Sequence, residues 1–295
     1  MTDTLTLLLA PDRPIIVAFR DRATGPALLR WAVQRSLITG QHVTVLHAIP
    51  DQSLVLPVEA GGTPYGTLIA AARLILDDES RLVCAEFPGA HVTANVHSGD
   101  IVDALVSLSE DASLLVVGAD RVDGHTGEYL GSVGQQAALG SAAPVVVLPR
   151  EPRSGNATVV VGVDGSLESE AALRVAAAEA SRSGGQLTVV TSANATDAPG
   201  GPAEHSTSSA LEDIRGQYPQ VTIARQIDDQ RTPVQSLLFH AADADLLVIG
   251  RHGRGARPGI LLGSVTHTLL LDPQCPTLVV TRRSPQESSA LTVRA

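Results

Sequence analysis

Five segments of this chain occur twice, in the same order each time. "PIIVAFRD" (14–21) is answered by "VVVGVDGS" (159–166), "HVTVLHA" (42–48) by "QLTVVTS" (186–192), and "EDASLLVVG" (110–118) by "AADADLLVIG" (241–250). "GSVGQQAAL" (131–139) pairs with "GSVTHTLLL" (263–271), and "APVVVLPR" (143–150) with "CPTLVVTR" (275–282). A tandem duplication constrains the fold more than composition does, because one domain design must serve both halves. With 295 residues in all, each copy is domain-sized rather than a solenoid repeat. The boundary falls near "PREPRSGNAT" (149–158), dividing the chain into residues 1–152 and 153–295.

Each half alternates strand and helix patterns. In the second half, short β-branched runs predict strands at 157–164, 186–192, 221–227, 245–250 and 276–281. Helices are expected at 167–184, 203–217, 231–242 and 263–272. The first of these carries full punctuation: Ser166 to cap it, acids in its first turn, Gly184-Gly185 to end it. Strands apolar along their whole length, separated by helices, imply a parallel sheet covered on both faces. The copies differ in length. Positions 15 and 159 are 144 apart, whereas 118 and 250 are 132 apart, so the first half carries 12 extra residues. The surplus is expected in the Pro/Gly-rich loop 50–66.

Charge and composition then exclude several functions. The formal net charge is -10 and aromatic residues make up 2%, which argues against a nucleic-acid footprint or stacking platform. All 21 basic residues are Arg, so P-loop and Schiff-base lysine chemistry is impossible. Cys84 and Cys275 lack a CxxC partner and read as reduced, buried small hydrophobes of a cytoplasmic protein. No apolar run approaches a membrane span, and the opening "MTDTLTLLLA" lacks the basic start of a signal peptide.

Residues 250–264, "GRHGRGARPGILLGS", are the segment with chemical promise. They leave the end of a predicted strand and run into a predicted helix, whose first N–H groups lack partners and attract anions. Glycine at 250, 253 and 263 permits positive φ and close approach of a phosphate to the backbone. Ser264 is expected to cap the helix and offer its hydroxyl. Arg251, Arg254 and Arg257 give residues 251–262 a formal charge of +3. His252 lies inside the loop, as a phosphate contact or a solvated residue. Asp164 ends the first strand of this half, which a doubly wound sheet places beside the fourth.

These residues resemble the universal stress protein family. The spacing Gly250, Gly253, Gly263, Ser264 matches the G-x2-G-x9-G-[ST] pattern of its nucleotide-binding branch, and "CPTLVV" (275–280) matches its last strand. The resemblance covers all but about the first and last dozen residues. It implies two tandem Rossmann-like, adenine nucleotide alpha hydrolase-like domains, each a five-stranded parallel sheet of order 3-2-1-4-5 flanked by helices. It also implies ATP, with Mg2+ as its companion ion, and a homodimer or a pseudo-dimer of the two halves. The backbone near Thr191 and Ser192 would face adenine. The expected ATP site is thus Asp164, Ser192, Gly250, His252, Gly253, Arg254, Gly263, Ser264 and Val265.

The first half departs from that pattern. Its loop keeps Gly118, Gly131, Ser132 and Val133 but has Arg121 in place of the middle glycine, with Gly124 three residues further on. Arg20 stands where the second half has Asp164, and the neighbouring Asp21 falls on the other face of the strand. Residues 119–130 carry a formal charge of -2, unsuited to a triphosphate. This copy reads as degenerate, or as a second, weaker site.

The remaining motifs are structural. His42 and His47 lack metal-ligand spacing, Ser183-Gly184-Gly185 reads as a helix stop, and Trp31 reads as core. No general base stands beside the expected phosphates. The expected function is ATP binding without rapid turnover, in a stress-response regulator read by a protein partner. The alternatives are a nucleotide-independent interaction module and a slow ATPase or autophosphorylating protein.

Overall fold

A computed structural model of the chain describes residues 4–56, 62–119, 132–150, 157–192, 202–254 and 262–281. Two compact units emerge, one chiefly Thr6–Arg153, the other chiefly Ser154–Leu269 with Thr277–Ala295.

The first unit contains β1 (Ile15–Ala18), α2 (Gly25–Thr39), β2 (Val43–Ile49), α3 (Tyr65–Glu86), β3 (Val92–Ser98), α4 (Ile101–Leu108), β4 (Leu114–Gly118), α5 (Val133–Gly140) and β5 (Val145–Leu148). A short α1 (Thr4–Leu9) precedes them, its end pinned by the Gln41 amide, which donates to Leu8 O and Ala10 O. The strands pair in parallel in the order β3-β2-β1-β4-β5. Leu114–Val117 of β4 are all essentially inaccessible, as a strand covered on both faces requires.

The second unit repeats this design with β6 (Thr158–Gly162), α6 (Leu167–Ser183), β7 (Gln186–Ser192), α7 (Pro202–Gln217), β8 (Thr222–Asp228), α8 (Pro233–Ala241), β9 (Leu246–Gly250), α9 (Ser264–Leu271) and β10 (Thr277–Val280). Parallel pairing gives the order β8-β7-β6-β9-β10. Every element predicted for this half is present, with ends shifted by at most two residues. The punctuation of α6 acts as its residue types suggest. Ser166 Oγ accepts the N–H of Ser169 at 3.1 Å, and Gly184 closes the helix in the left-handed conformation at φ 64°. Its buried face is mostly small, with Ala172, Ala176, Ala177 and Ala180 inaccessible, so the helix lies close to the sheet.

The extra length of the first half is not confined to a loop. Helix α3 has 22 residues against 16 in α7, so half of the 12-residue surplus lengthens a helix. Two smaller expectations also change. Trp31 is only half-buried, with the Arg35 guanidinium 5.9 Å over its ring, a stem-and-ring contact at the surface rather than core packing. Cys275 is buried and Cys84 only partly so; both are free thiols.

Candidate functional site

Strands β6 and β9 are adjacent, in register Val159↔Leu246 through Val161↔Val248, and both point their carboxyl ends at the same cleft. A cavity of about 700 Å³ opens there. Its walls come from the end of β6 (Gly162, Val163, Asp164), from Ser169 of α6, and from Val190 and Ser192 of β7. Pro233, Ser236 and Leu237 of α8 and Ile249 and Gly250 of β9 add two more sides. His252, Gly253 and Arg254 of the loop, then Gly263, Ser264 and Val265 at the start of α9, complete it. All nine residues expected at the second-half site therefore face one cavity. Thr191, the neighbour of Ser192, is not among the lining residues.

The carboxylate of Asp164 is the hub of the β6–α6 turn. Oδ1 accepts the N–H of Ser166 at 3.0 Å, while Oδ2 accepts the N–H of Arg254 at 2.6 Å. The Arg254 guanidinium returns to the Asp164 carbonyl at 3.4 Å. Glu168, in the first turn of α6, makes a second clamp. Its Oε2 accepts the N–H of His252 at 2.5 Å and its Oε1 lies 3.3 Å from the His252 ring Nδ1. The loop also closes on itself: Gly263 N–H donates to Arg251 O at 2.9 Å, and the buried Thr266 hydroxyl donates to Gly250 O at 2.8 Å.

These contacts explain the glycines differently from the sequence expectation. Among the described residues the glycines with positive φ are Gly40, Gly89, Gly99, Gly165 and Gly184; Gly250, Gly253 and Gly263 are not among them. What crowds a side chain at these three is close approach of the protein's own atoms. A Cβ on Gly253 would stand 2.5 Å from Asp164 Oδ2. One on Gly250 would meet Glu168 Cβ at 3.1 Å, and one on Gly263 would meet His252 Cα at 3.3 Å.

The anion donors are relocated as well. The N–H groups of His252 and Arg254 are engaged by carboxylates. The first turn of α9, at Ser264 and Val265, also lines the cavity, and N–H groups at such a position lack partners within the helix. Ser264 is the first residue of α9 and lines the cavity. The His267 N–H goes to Gly263 O at 2.8 Å, so Gly263 rather than Ser264 stands at the cap position. Arg251 is buried, 8% exposed, and is not among the residues that line the cavity. Arg257 lies outside the described residues.

On the far wall, Ser192 Oγ donates to Arg231 O at 3.2 Å. Asp228 at the end of β8 shapes that turn by accepting the N–H groups of Gln230 and Arg231, each at 3.0 Å, and the Arg231 guanidinium at 3.1 Å. Burial pushes the Asp228 carboxyl up, but hydrogen bonds from the Arg231 guanidinium and from the Gln230 and Arg231 N–H groups outweigh it and bring its pKa down to about 2. Glu168 and Asp228 were not singled out in the sequence. Glu168 looked like an ordinary first-turn acid; only the β6–β9 adjacency reveals what it reaches.

In the first half, Gly118 and Ser132 are placed at the corresponding strand end and helix start, with Val133 opening α5. Arg121, Gly124 and Gly131 lie outside the described residues. Ser132 is a true cap. Its hydroxyl accepts the Gln135 N–H at 3.2 Å while the Gln135 side chain accepts the Ser132 N–H at 3.0 Å. The Arg20 side chain is 69% exposed and pairs with Asp21 at 3.4 Å. Asp21 is turned to capping: Oδ1 accepts the N–H groups of Ala23 and Thr24, both at 3.0 Å. Burial raises the Asp21 carboxyl, and the Thr24 and Ala23 hydrogen bonds together more than reverse this, holding it below the usual carboxylate range. His47 is structural, its Nδ1 2.8 Å from Phe19 O.

The sequence profile described as the Universal stress protein family matches twice, over residues 13–149 and 155–281. The chain belongs to this family. A universal stress protein of Mycobacterium bovis is 33% identical over 290 residues, 90% of this chain and 96% of its own. One of Mycobacterium tuberculosis is 30% identical over 288 residues, 90% of this chain and 95% of its own. Among solved structures, a universal stress protein from Archaeoglobus fulgidus shares the fold with a TM-score of 0.70 at 18% identity, over 91% of this chain and 98% of its own. Among the described residues of this universal stress protein, no helix is long and apolar enough to cross a membrane. Within the same residues, no group of three or more His, Cys, Asp or Glu side chains is placed to hold a metal ion.

Proposed function

We propose that this universal stress protein binds ATP in its second half and works as a cytoplasmic regulator through occupancy rather than turnover. The observation that carries this reading is the cavity at the carboxyl ends of β6 and β9, with Asp164 on one side and the start of α9 on the other. Its volume, about 700 Å³, lies within the range of small-molecule sites.

The residues present fit the ligand. The start of α9 offers the N–H groups of Ser264 and Val265 and the Ser264 hydroxyl to phosphate oxygens, with the helix dipole in support. Arg254 adds its guanidinium from the loop. The Asp164 carboxylate keeps lone pairs for ribose hydroxyls, and Val190, Leu237 and Ile249 offer an apolar wall for a base near Ser192. His252 Nε2 is buried and has no hydrogen-bond partner, an unmet polar demand in a cavity wall. ATP would supply a polyanionic ligand, accompanied by Mg2+, whose presence or absence a regulatory protein partner reads.

The direct test is to purify the full chain, denature it, and resolve the released small molecules by anion exchange. Release of about one adenine nucleotide per chain is expected. A protein that carries none, and that gives no heat on titration with ATP, overturns the reading in favour of a nucleotide-independent interaction module.

A further inference from the structure

The contact between Glu168 and His252 goes beyond holding the loop. One carboxylate oxygen takes the backbone N–H of His252 and the other faces ring Nδ1 at 3.3 Å. That arrangement selects the ring form in which Nδ1 carries the hydrogen and donates to Glu168. The lone pair of a neutral ring is then left on Nε2, the atom that is buried without a partner. An acceptor atom cannot bind a phosphate oxygen, which is also an acceptor. The ring meets phosphate only after Nε2 takes a proton from solvent and becomes a donor.

We propose that Glu168 and His252 form a proton-taking pair, so that the nucleotide is bound together with a proton and is held less tightly as pH rises. The proposal rests on reading the cavity as a nucleotide site. Phosphate on one side and the Glu168 carboxylate on the other both stabilise the ring cation. Linkage then requires that a ligand favouring the protonated form take up protons on binding. Glu168 is here a positioning residue, acting through His252.

The charged surroundings suit this role. Glu168 approaches from α6, and Asp164 reaches the same loop at Gly253 and Arg254 from the turn before α6. Arg251 and Arg254 flank His252 in the chain, and His267 lines the cavity from α9. The ring thus has carboxylates on the α6 side, and an added ring proton is matched by those and by the ligand's own charge. The first half lacks the pair: the residue corresponding to Glu168 is Thr24 and that corresponding to His252 is Asp120.

The experiment is calorimetric titration of ATP into the full chain at pH 7.5, in two buffers of different ionisation enthalpy, for wild type, His252→Gln and Glu168→Gln. The difference between buffers counts protons taken up per nucleotide. Wild type is expected to take up roughly half a proton to one proton more than His252→Gln, and its affinity to fall about tenfold more between pH 6 and 8. Glu168→Gln retains an oxygen for the His252 N–H but loses the balancing charge, so its count falls toward that of His252→Gln. Melting temperatures confirm that each variant is folded, and should Glu168→Gln fail to fold, the His252→Gln comparison decides alone. Equal proton counts and equal pH profiles in wild type and His252→Gln overturn the pair while leaving the nucleotide site standing. Absence of ATP binding by wild type overturns the site reading and the pair with it.

Discussion

Two residues at the same place in the two halves show how one duplicated fold can carry different side chains at the same strand end. In the second half Val163 and Ser169 both line the cavity, and the Ser169 hydroxyl bridges the Asp164 N–H and the Ser166 carbonyl at 3.3 and 2.9 Å. In the first half the corresponding residues are Phe19 and Gly25. The Phe19 ring is buried, 2% exposed, and a Cβ on Gly25 would stand 2.3 Å from it. An aromatic ring has taken the room that a small hydroxyl side chain has in the other copy. The same strands and helices surround both places, so the difference lies in side chains at the strand ends rather than in the fold.

The comparison is broken most directly at the acidic hub. Asp164→Ala removes the acceptor for the Arg254 and Ser166 N–H groups and for the expected ribose contact. Nucleotide affinity should fall at least about 100-fold, on the order of 3 kcal/mol, as expected for losing hydrogen bonds to a charged group. Arg20→Ala, its counterpart, should leave affinity within about twofold in the same calorimetric titration.

Glycine substitutions come next. Gly253→Ala forces a methyl group against Asp164 Oδ2, and Gly25→Ala forces one into the Phe19 ring. Each should destabilise its own half by about 1–3 kcal/mol, measured by denaturant unfolding. Only Gly253→Ala should also weaken nucleotide binding, by roughly tenfold; equal effects of both on binding would erase the distinction between the halves.

A smaller contrast separates the two serines. Ser132→Ala loses a capping box and should cost about 1 kcal/mol of stability. Ser264→Ala should leave stability nearly unchanged while weakening the nucleotide severalfold. The smallest effect concerns acid. Because folding depresses the Asp228 carboxyl to about 2, its contribution is full above the unfolded value near 3.8 and is lost as pH falls through 2. Asp228→Asn should therefore lower stability at neutral pH and flatten the profile between about pH 4 and 2, as read by thermal melts from about pH 7 to 2.

Much of this architecture was legible in the sequence because it is written in local signals. Val159–Val161 and Leu246–Ile249 are apolar at every position, which only a doubly covered strand tolerates. Ser166 and Gly184 mark the ends of α6 by residue type alone. The site was legible as a set of residues for the same reason: Asp164 and Gly250 sit at strand ends. Their chemistry was less so. That Gly253 is required by Asp164, or that Glu168 holds His252, depends on atoms 84 to 90 residues apart in the chain. Such contacts appear only once β6 lies beside β9. Phe19 and Gly25 likewise look unrelated until the chain turns back on itself to bring the ring onto the helix.

The bonds that tie Gly263 to Arg251 and Thr266 to Gly250 have a practical corollary. They hold the two ends of the intervening segment against each other. Closing a ring of twice the length costs only about 0.6 kcal/mol more. A peptide tag or fluorophore-bearing insert placed between residues 255 and 261 should thus be carried at little cost in stability. It would ride on the same neck that Asp164 and Glu168 clamp, turning the segment into a reporter port for whatever enters the cavity.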